Sequence, residues 1–82
     1  MNADLEPLST ALEIIAKVMK EGRIRYPDHR WLRQSVATHI AHAEAHLRLL
    51  KEGNQDEDHL SHGATRLLMA LCLRAELRPF SG

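Results

Sequence analysis

The sequence predicts an all-α protein of three helices, and three observations carry that reading. Apolar residues recur at spacings of three and four in three stretches, a glycine or proline closes each stretch, and a short acidic turn joins the last two. Such a turn makes helices 2 and 3 an antiparallel hairpin. Apolar surface left over on helix 3 leads to the expectation that a helical bundle is completed by homo-oligomerisation.

In the first stretch Leu5, Leu8, Leu12, Ile15 and Met19 form an apolar stripe that Ile14 and Val18 widen. Thr10 and Glu13 read as a capping box, Pro7 suits a first turn, and Gly22 can take the left-handed conformation that closes a helix. Helix 1 is therefore placed at about residues 8–21.

From Arg23 to Arg30 the pattern lapses, and Pro27 pushes Tyr26 toward extended geometry. Lys20 to Arg33 holds five basic and two acidic residues beside Tyr26 and Trp31, a composition that can bind phosphate or stack a base. Arg25, Tyr26 and Trp31 are the candidate ligand-binding residues of this strip. In the plainer reading the two rings anchor a loop over the core and the arginines are solvated.

Helix 2 is expected over about residues 32–51, with Leu32, Val36, Ile40, Ala43, Leu47 and Leu50 on one stripe. On its border His39, His42 and His46 fall within a sector of about 60°. Gly53 ends the helix, and Glu52 to Asp58 supplies four carboxylates that favour the start of a third helix. Helix 3 is placed at about residues 58–77, stopping at Pro79, with a core stripe of Leu60, Ala64, Leu67, Leu68, Leu71 and Ala75. Met69, Ala70, Cys72 and Leu73 make its middle apolar on nearly every side, more than three helices can cover. Pairing with further copies into a four-helix or larger bundle would cover it.

Length and composition bound what such a chain can do. Eighty-two residues allow one domain, 1–82, and a content of 44% hydrophobic and 27% charged residues excludes a disordered or collagen-like chain. Eleven basic residues balance eleven acidic ones, so no global charge draws the chain to nucleic acid or anionic lipid. Cys72, the lone cysteine, cannot form an internal disulfide and reads as a core residue of helix 3. The acidic start, with Asp4 and Glu6, does not resemble a signal peptide, and the longest apolar run, Leu67 to Leu73, is too short to span a bilayer. A cytoplasmic location with no membrane partner is the expectation.

The hairpin is expected to bring His46, at the end of helix 2, against Asp58, His59 and His62 at the start of helix 3. These four are the candidate catalytic residues. Imidazoles are common zinc donors, whereas Asp56, Glu57 and Asp58 offer the carboxylates that magnesium requires and are the candidate metal ligands. A solvated helix cap with half-exposed histidines is the plain alternative. His42-Ala43-Glu44-Ala45-His46 is not a metalloprotease helix, because its glutamate points away from the side the histidines share. A glycine-rich phosphate loop and a nucleophile elbow are both lacking.

Three runs taken together carry a family likeness: Glu21 to Trp31, with Gly22, Tyr26 and Trp31; Glu44 to Gly53, with His46 seven residues before the glycine; and Asp56-Glu57-Asp58-His59-Leu60-Ser61-His62 opening the last apolar helix. In this order they resemble the dATP/dGTP diphosphohydrolase N-terminal domain family, common in phage and prophage genomes, over roughly residues 8–77. The resemblance implies an all-helical protein of deoxynucleotide metabolism, linked to cleavage of purine deoxynucleoside triphosphates to monophosphate and pyrophosphate. Carried over by position, the matching residues are Tyr26, Trp31, His46, Asp58, His59 and His62. Related all-helical pyrophosphatases hold magnesium with Glu-x-x-Glu and Glu-x-x-Asp pairs, and neither occurs here. In the two-part enzymes of the family, catalysis is attributed to a following domain.

The function expected from the sequence is thus binding or hydrolysis of purine deoxynucleoside triphosphates, with Mg2+ or another divalent metal such as Zn2+ as cofactor. As an enzyme it would be a nucleoside triphosphate pyrophosphatase in which the metal polarises the phosphate chain and a histidine carries a proton. The competing class is a non-catalytic oligomeric module that engages a host or phage protein. Nucleic-acid binding comes last, given the zero net charge.

Overall fold

In a computed structural model, which describes residues 5–77, Pro27 rather than Gly22 sets the end of the first helix. This helix, α1, spans Glu6–Arg25, with Leu5 at its N-cap and Pro7 in its first turn. Thr10 and Glu13 therefore lie inside the helix, and the expected capping box is not its start. Proline pre-sets the helical φ of a first turn, which allows the helix to begin two residues earlier than placed from the sequence. At the other end Gly22 continues the helix, and Tyr26, held out of helical geometry by Pro27, terminates it at φ −130°.

The expected start of the second helix also moves. Arg30–Arg33 forms a short 3-10 turn, and α2 begins only at Val36 and runs to Lys51. Ser35 is the better cap: its extended backbone lets Oγ accept a hydrogen bond from the Thr38 amide at 3.1 Å. At the far end Gly53 has φ 84°, its amide donates to the Leu50 carbonyl, and the Asn54 amide reaches back to Leu49. That pair of bonds is the Schellman arrangement, which needs the left-handed conformation glycine adopts freely. Asp58 then caps α3, His59–Leu77, by accepting from the Ser61 amide at 3.1 Å and from the Ser61 hydroxyl at 2.7 Å. Pro79, the expected stop, lies outside the described residues.

α2 and α3 form the expected antiparallel hairpin, and α1 and the 3-10 turn both pack on α3. No strand occurs among the described residues. The surprise is which side chains face inward. The buried positions are Ala43 and His39 on α2 and His59, Gly63, Thr65 and Ala70 on α3. Much of the stripe predicted as the core of α3 faces out instead: Leu60, Leu67 and Leu71 are 59, 46 and 52% exposed, while Ala64 and Leu68 are half-buried. Leu32, Ile40 and Leu50 of the stripe predicted for helix 2 are exposed as well. Cys72, read as core, is also exposed.

The physical reason is that two helices can approach closely along small residues, and the seam is lined by Ala43, Gly63 and Ala70. A Cβ placed on Gly63 would lie 3.5 Å from the His46 Cβ and 3.7 Å from the Ala43 carbonyl oxygen. Polar groups enter the seam because each finds a partner there, and no buried side-chain polar atom among the described residues lacks a hydrogen bond. His39, fully buried, is the clearest case. Its Nε2 donates to the Trp31 carbonyl at 3.0 Å, and its Nδ1 accepts from Arg66 Nη1 at 3.1 Å. Arg66 Nη1 also donates to Gln34 at 2.8 Å, so this network ties the 3-10 turn to both hairpin helices. Among the described residues no helix is long and apolar enough to cross a membrane.

Candidate functional site

Where α2 ends and α3 begins, three imidazoles and one carboxylate converge. The Nδ1 atoms of His46 and His59 are 3.0 Å apart, and Glu57 Oε1 lies 3.4 Å from the first and 3.9 Å from the second. His62 Nδ1 donates to the same Glu57 oxygen at 3.0 Å. The His46 ring meets His59 and His62 at centroid distances of 5.2 and 5.5 Å. Gly63 lets the helices close at this level, since it faces His46 and Leu47 with no side chain of its own.

The chain orients the buried ring of the cluster. Asn54 Oδ1 accepts from the Asp56 amide at 3.1 Å, which fixes the flip of its side-chain amide, and it then accepts from His59 Nε2 at 2.6 Å. His59 Nε2 therefore carries the proton. In the neutral ring Nδ1 is bare, and its lone pair points at His46.

Electrostatics act on the cluster in one direction. Burial, opposed by the Glu57 carboxylate and reinforced by the neighbouring His62, His59 and Arg66, lowers the pKa of His46 below 6.5. His42 is lowered too, by burial and then by Arg66 and His39. The hydrogen bond from His62 holds the Glu57 carboxyl below its usual range of about 4.5, and the Ser61 hydroxyl and amide do the same for Asp58.

A cleft of about 400 Å³ opens beside the cluster, between the C-terminal half of α1, the loop after it and the hairpin. Val18, Met19 and Met69 give it an apolar part. Arg23, Arg25, Arg30 and Arg66 bring guanidinium groups, Tyr26 and Trp31 bring rings, and His42, His46 and His62 line the end shared with the cluster. The Arg30 guanidinium sits 4.3 Å from the centre of the Tyr26 ring. Arg33, from the same basic strip, pairs with Asp28.

Of the residues expected from the sequence, the structure brings His46, His59, His62 and Glu57 to one point, and Arg25, Tyr26 and Trp31 to the adjoining cleft. The three consecutive acids separate: Asp56 bonds Asn54, Asp58 caps α3, and Glu57 alone joins the imidazoles. Of the three histidines of α2, His39 parts from the others, being spent on Trp31 and Arg66, while His42 and His46 both line the cleft and His46 also meets His59. Sequence reasoning missed Asn54, Gln34 and Arg66. Arg66 did carry a signal, as a cation directly before the longest apolar run, Leu67 to Leu73.

A sequence-family model described as dATP/dGTP diphosphohydrolase, N-terminal, matches residues 3–79. No curated protein and no solved structure matches the chain. With nearly its whole length matched, the chain belongs to the dATP/dGTP diphosphohydrolase N-terminal family.

Proposed function

We propose that the chain binds a purine deoxynucleoside triphosphate in the cleft between α1 and the hairpin. The observation that carries this reading is that the basic aromatic strip and the histidine cluster, far apart in sequence, line the same cavity. Its volume of about 400 Å³ falls in the range of small-molecule sites. The half-exposed Tyr26 and Trp31 rings offer surfaces for a base, and Arg23, Arg25 and Arg30 offer charge-assisted hydrogen bonds to phosphate. His46 and His62, at the inner end of the cleft, are the groups placed to exchange a proton with a bound phosphate or water. The family membership supports the choice of nucleotide.

Calorimetric titration with dATP and dGTP, paired with an assay for pyrophosphate in the presence of divalent metals, tests it. Saturable binding that weakens in Arg25→Ala and Tyr26→Ala supports the reading. Pyrophosphate release assigns hydrolysis to this domain, and binding without release assigns recognition alone. No heat with either nucleotide removes the proposal.

A second reading rests on the outward apolar stripes. Only Ala43 and Ala70 are buried hydrophobic residues among the described residues, while Leu60, Leu67 and Leu71 stand exposed on one face of α3. We infer that a second copy of the chain covers this face, pairing two hairpins into a four-helix bundle about a two-fold axis. About half of each leucine remains to be covered, so each contributes about 1 kcal/mol on burial. Light scattering on wild type and on Leu67→Glu/Leu71→Glu tests it: the wild type should run as a dimer or larger and the variant as a monomer. A wild type that is monomeric at all concentrations contradicts it.

A further inference from the structure

We propose that His46, His59 and Glu57 form a binding site for a zinc-class divalent transition-metal ion, with the two Nδ1 atoms and Oε1 as donors. The inference does not depend on the nucleotide reading. It starts from the donor set. Among the described residues these three form the group whose ligand atoms all lie within 4.8 Å of one another. Two imidazole nitrogens and one carboxylate oxygen suit zinc and its neighbours, whereas magnesium prefers an octahedron of oxygens. The acidic turn contributes one carboxylate to the cluster and directs Asp56 and Asp58 elsewhere, so its oxygens do not build a magnesium cage.

The spacing fits. In a tetrahedral site with donors at about 2.0–2.1 Å, neighbouring donors lie about 3.3 Å apart. The separations here are 3.0, 3.4 and 3.9 Å, centred on that value, so small rotations of the rings and the carboxylate would admit an ion.

The supporting contacts are also those of a metal site. A ligating histidine usually donates its other ring N–H to a fixed oxygen, which sets the tautomer and aims the lone pair. His59 does this through Nε2 to Asn54 Oδ1, an oxygen itself held by the Asp56 amide. In the protein alone the His46 Nδ1 proton bridges to His59, and moving that proton to Nε2 bares the second nitrogen without changing charge. His62 holds the Glu57 carboxylate against the two rings. Three protein donors leave a fourth position, as zinc sites that take water or substrate do. His46, one of the three donors, also lines the cleft, so the site adjoins it.

Titration of the metal-free, untagged chain with Co2+ tests the site. The expected result is one Co2+ per chain, with the visible ligand-field bands of a four-coordinate ion, displaced by stoichiometric Zn2+ and not by a large excess of Mg2+. His46→Ala and Glu57→Gln should each weaken Co2+ binding by about a hundredfold or more, and Asn54→Ala by about tenfold to a hundredfold. Circular dichroism is the check that each variant remains helical; both His46 and Glu57 are solvent-accessible enough to be changed without emptying the seam. Absent bands in the wild type, or bands of unchanged affinity in the His46→Ala/Glu57→Gln double variant, would overturn the proposal. Nucleotide is absent from this experiment, so its failure leaves the cleft reading standing, and failure of nucleotide binding leaves the metal site standing.

Discussion

The inner seam of the α2–α3 hairpin and its outer leucine face are built from opposite materials. The seam holds His39, His59, Thr65 and small residues, all buried, while the outer face of α3 holds Leu60, Leu67 and Leu71, all exposed. The contrast teaches that the seam is specified by directional bonds between polar partners, while the larger apolar surface stays outside, where the proposed second copy would cover it.

Substitution at the seam and at the outer face should separate these two roles. His39→Ala removes a fully buried ring and strands both the Trp31 carbonyl and an Arg66 donor, so chemical denaturation should show a loss of about 3 kcal/mol. Leu60→Ala should leave the stability of the lone chain nearly unchanged and act instead on the concentration dependence of unfolding. Equal losses at the two positions, independent of concentration, would erase the distinction.

Acid acts on the seam side alone. His42 and His46 have pKa values lowered below 6.5 in the folded chain, so the unfolded chain takes up their protons first. Stability of the metal-free protein should therefore fall as pH drops below about 6.5, where both rings gain protons more readily once unfolded. A further loss follows below about 4.5, as protonation removes the Glu57 carboxylate that His62 stabilises. The groups facing His46 are Glu57, His59, His62 and Arg66, and thermal melts of His46→Phe should show a shallower first decline.

Smaller effects sharpen the same picture at the helix ends and at Gly63. Ser35→Ala removes the side-chain cap of α2 and should cost about 1 kcal/mol by denaturation. Gly63→Ala places a methyl at ordinary contact distance and replaces the poorest helix former but proline, so it should gain up to about 1 kcal/mol and keep the imidazoles together. Gly63→Leu has no such room beside His46 and Leu47 and should force the helices apart, separating His46 from His59.

Much of this architecture was legible in the sequence. The three-helix order, the reversal at Gly53 and the meeting of His46 with His59 and His62 follow from periodicity and one turn. The orientation of the hairpin faces was not legible, because an apolar stripe reads the same whether it packs on its own chain or on another. Leu60, Leu67 and Leu71 were for that reason assigned to the core of the chain, whereas they are exposed. Helix ends went astray where two signals competed, as at Gly22 and Pro27, and the stronger steric one prevailed. Asn54 and Gln34 matter through bonds to residues brought near by the fold, and a single sequence does not display those pairings.

Nitrogen-detected NMR of the histidine side chains during titration with dGTP tests most directly whether the cleft and the cluster are one site. The account predicts that the His42, His46 and His62 rings, which line the cleft, shift as nucleotide saturates, while the His39 ring, enclosed by Trp31 and Arg66, stays in place. Ring resonances unmoved at saturating nucleotide, or shifts confined to His39, would contradict it.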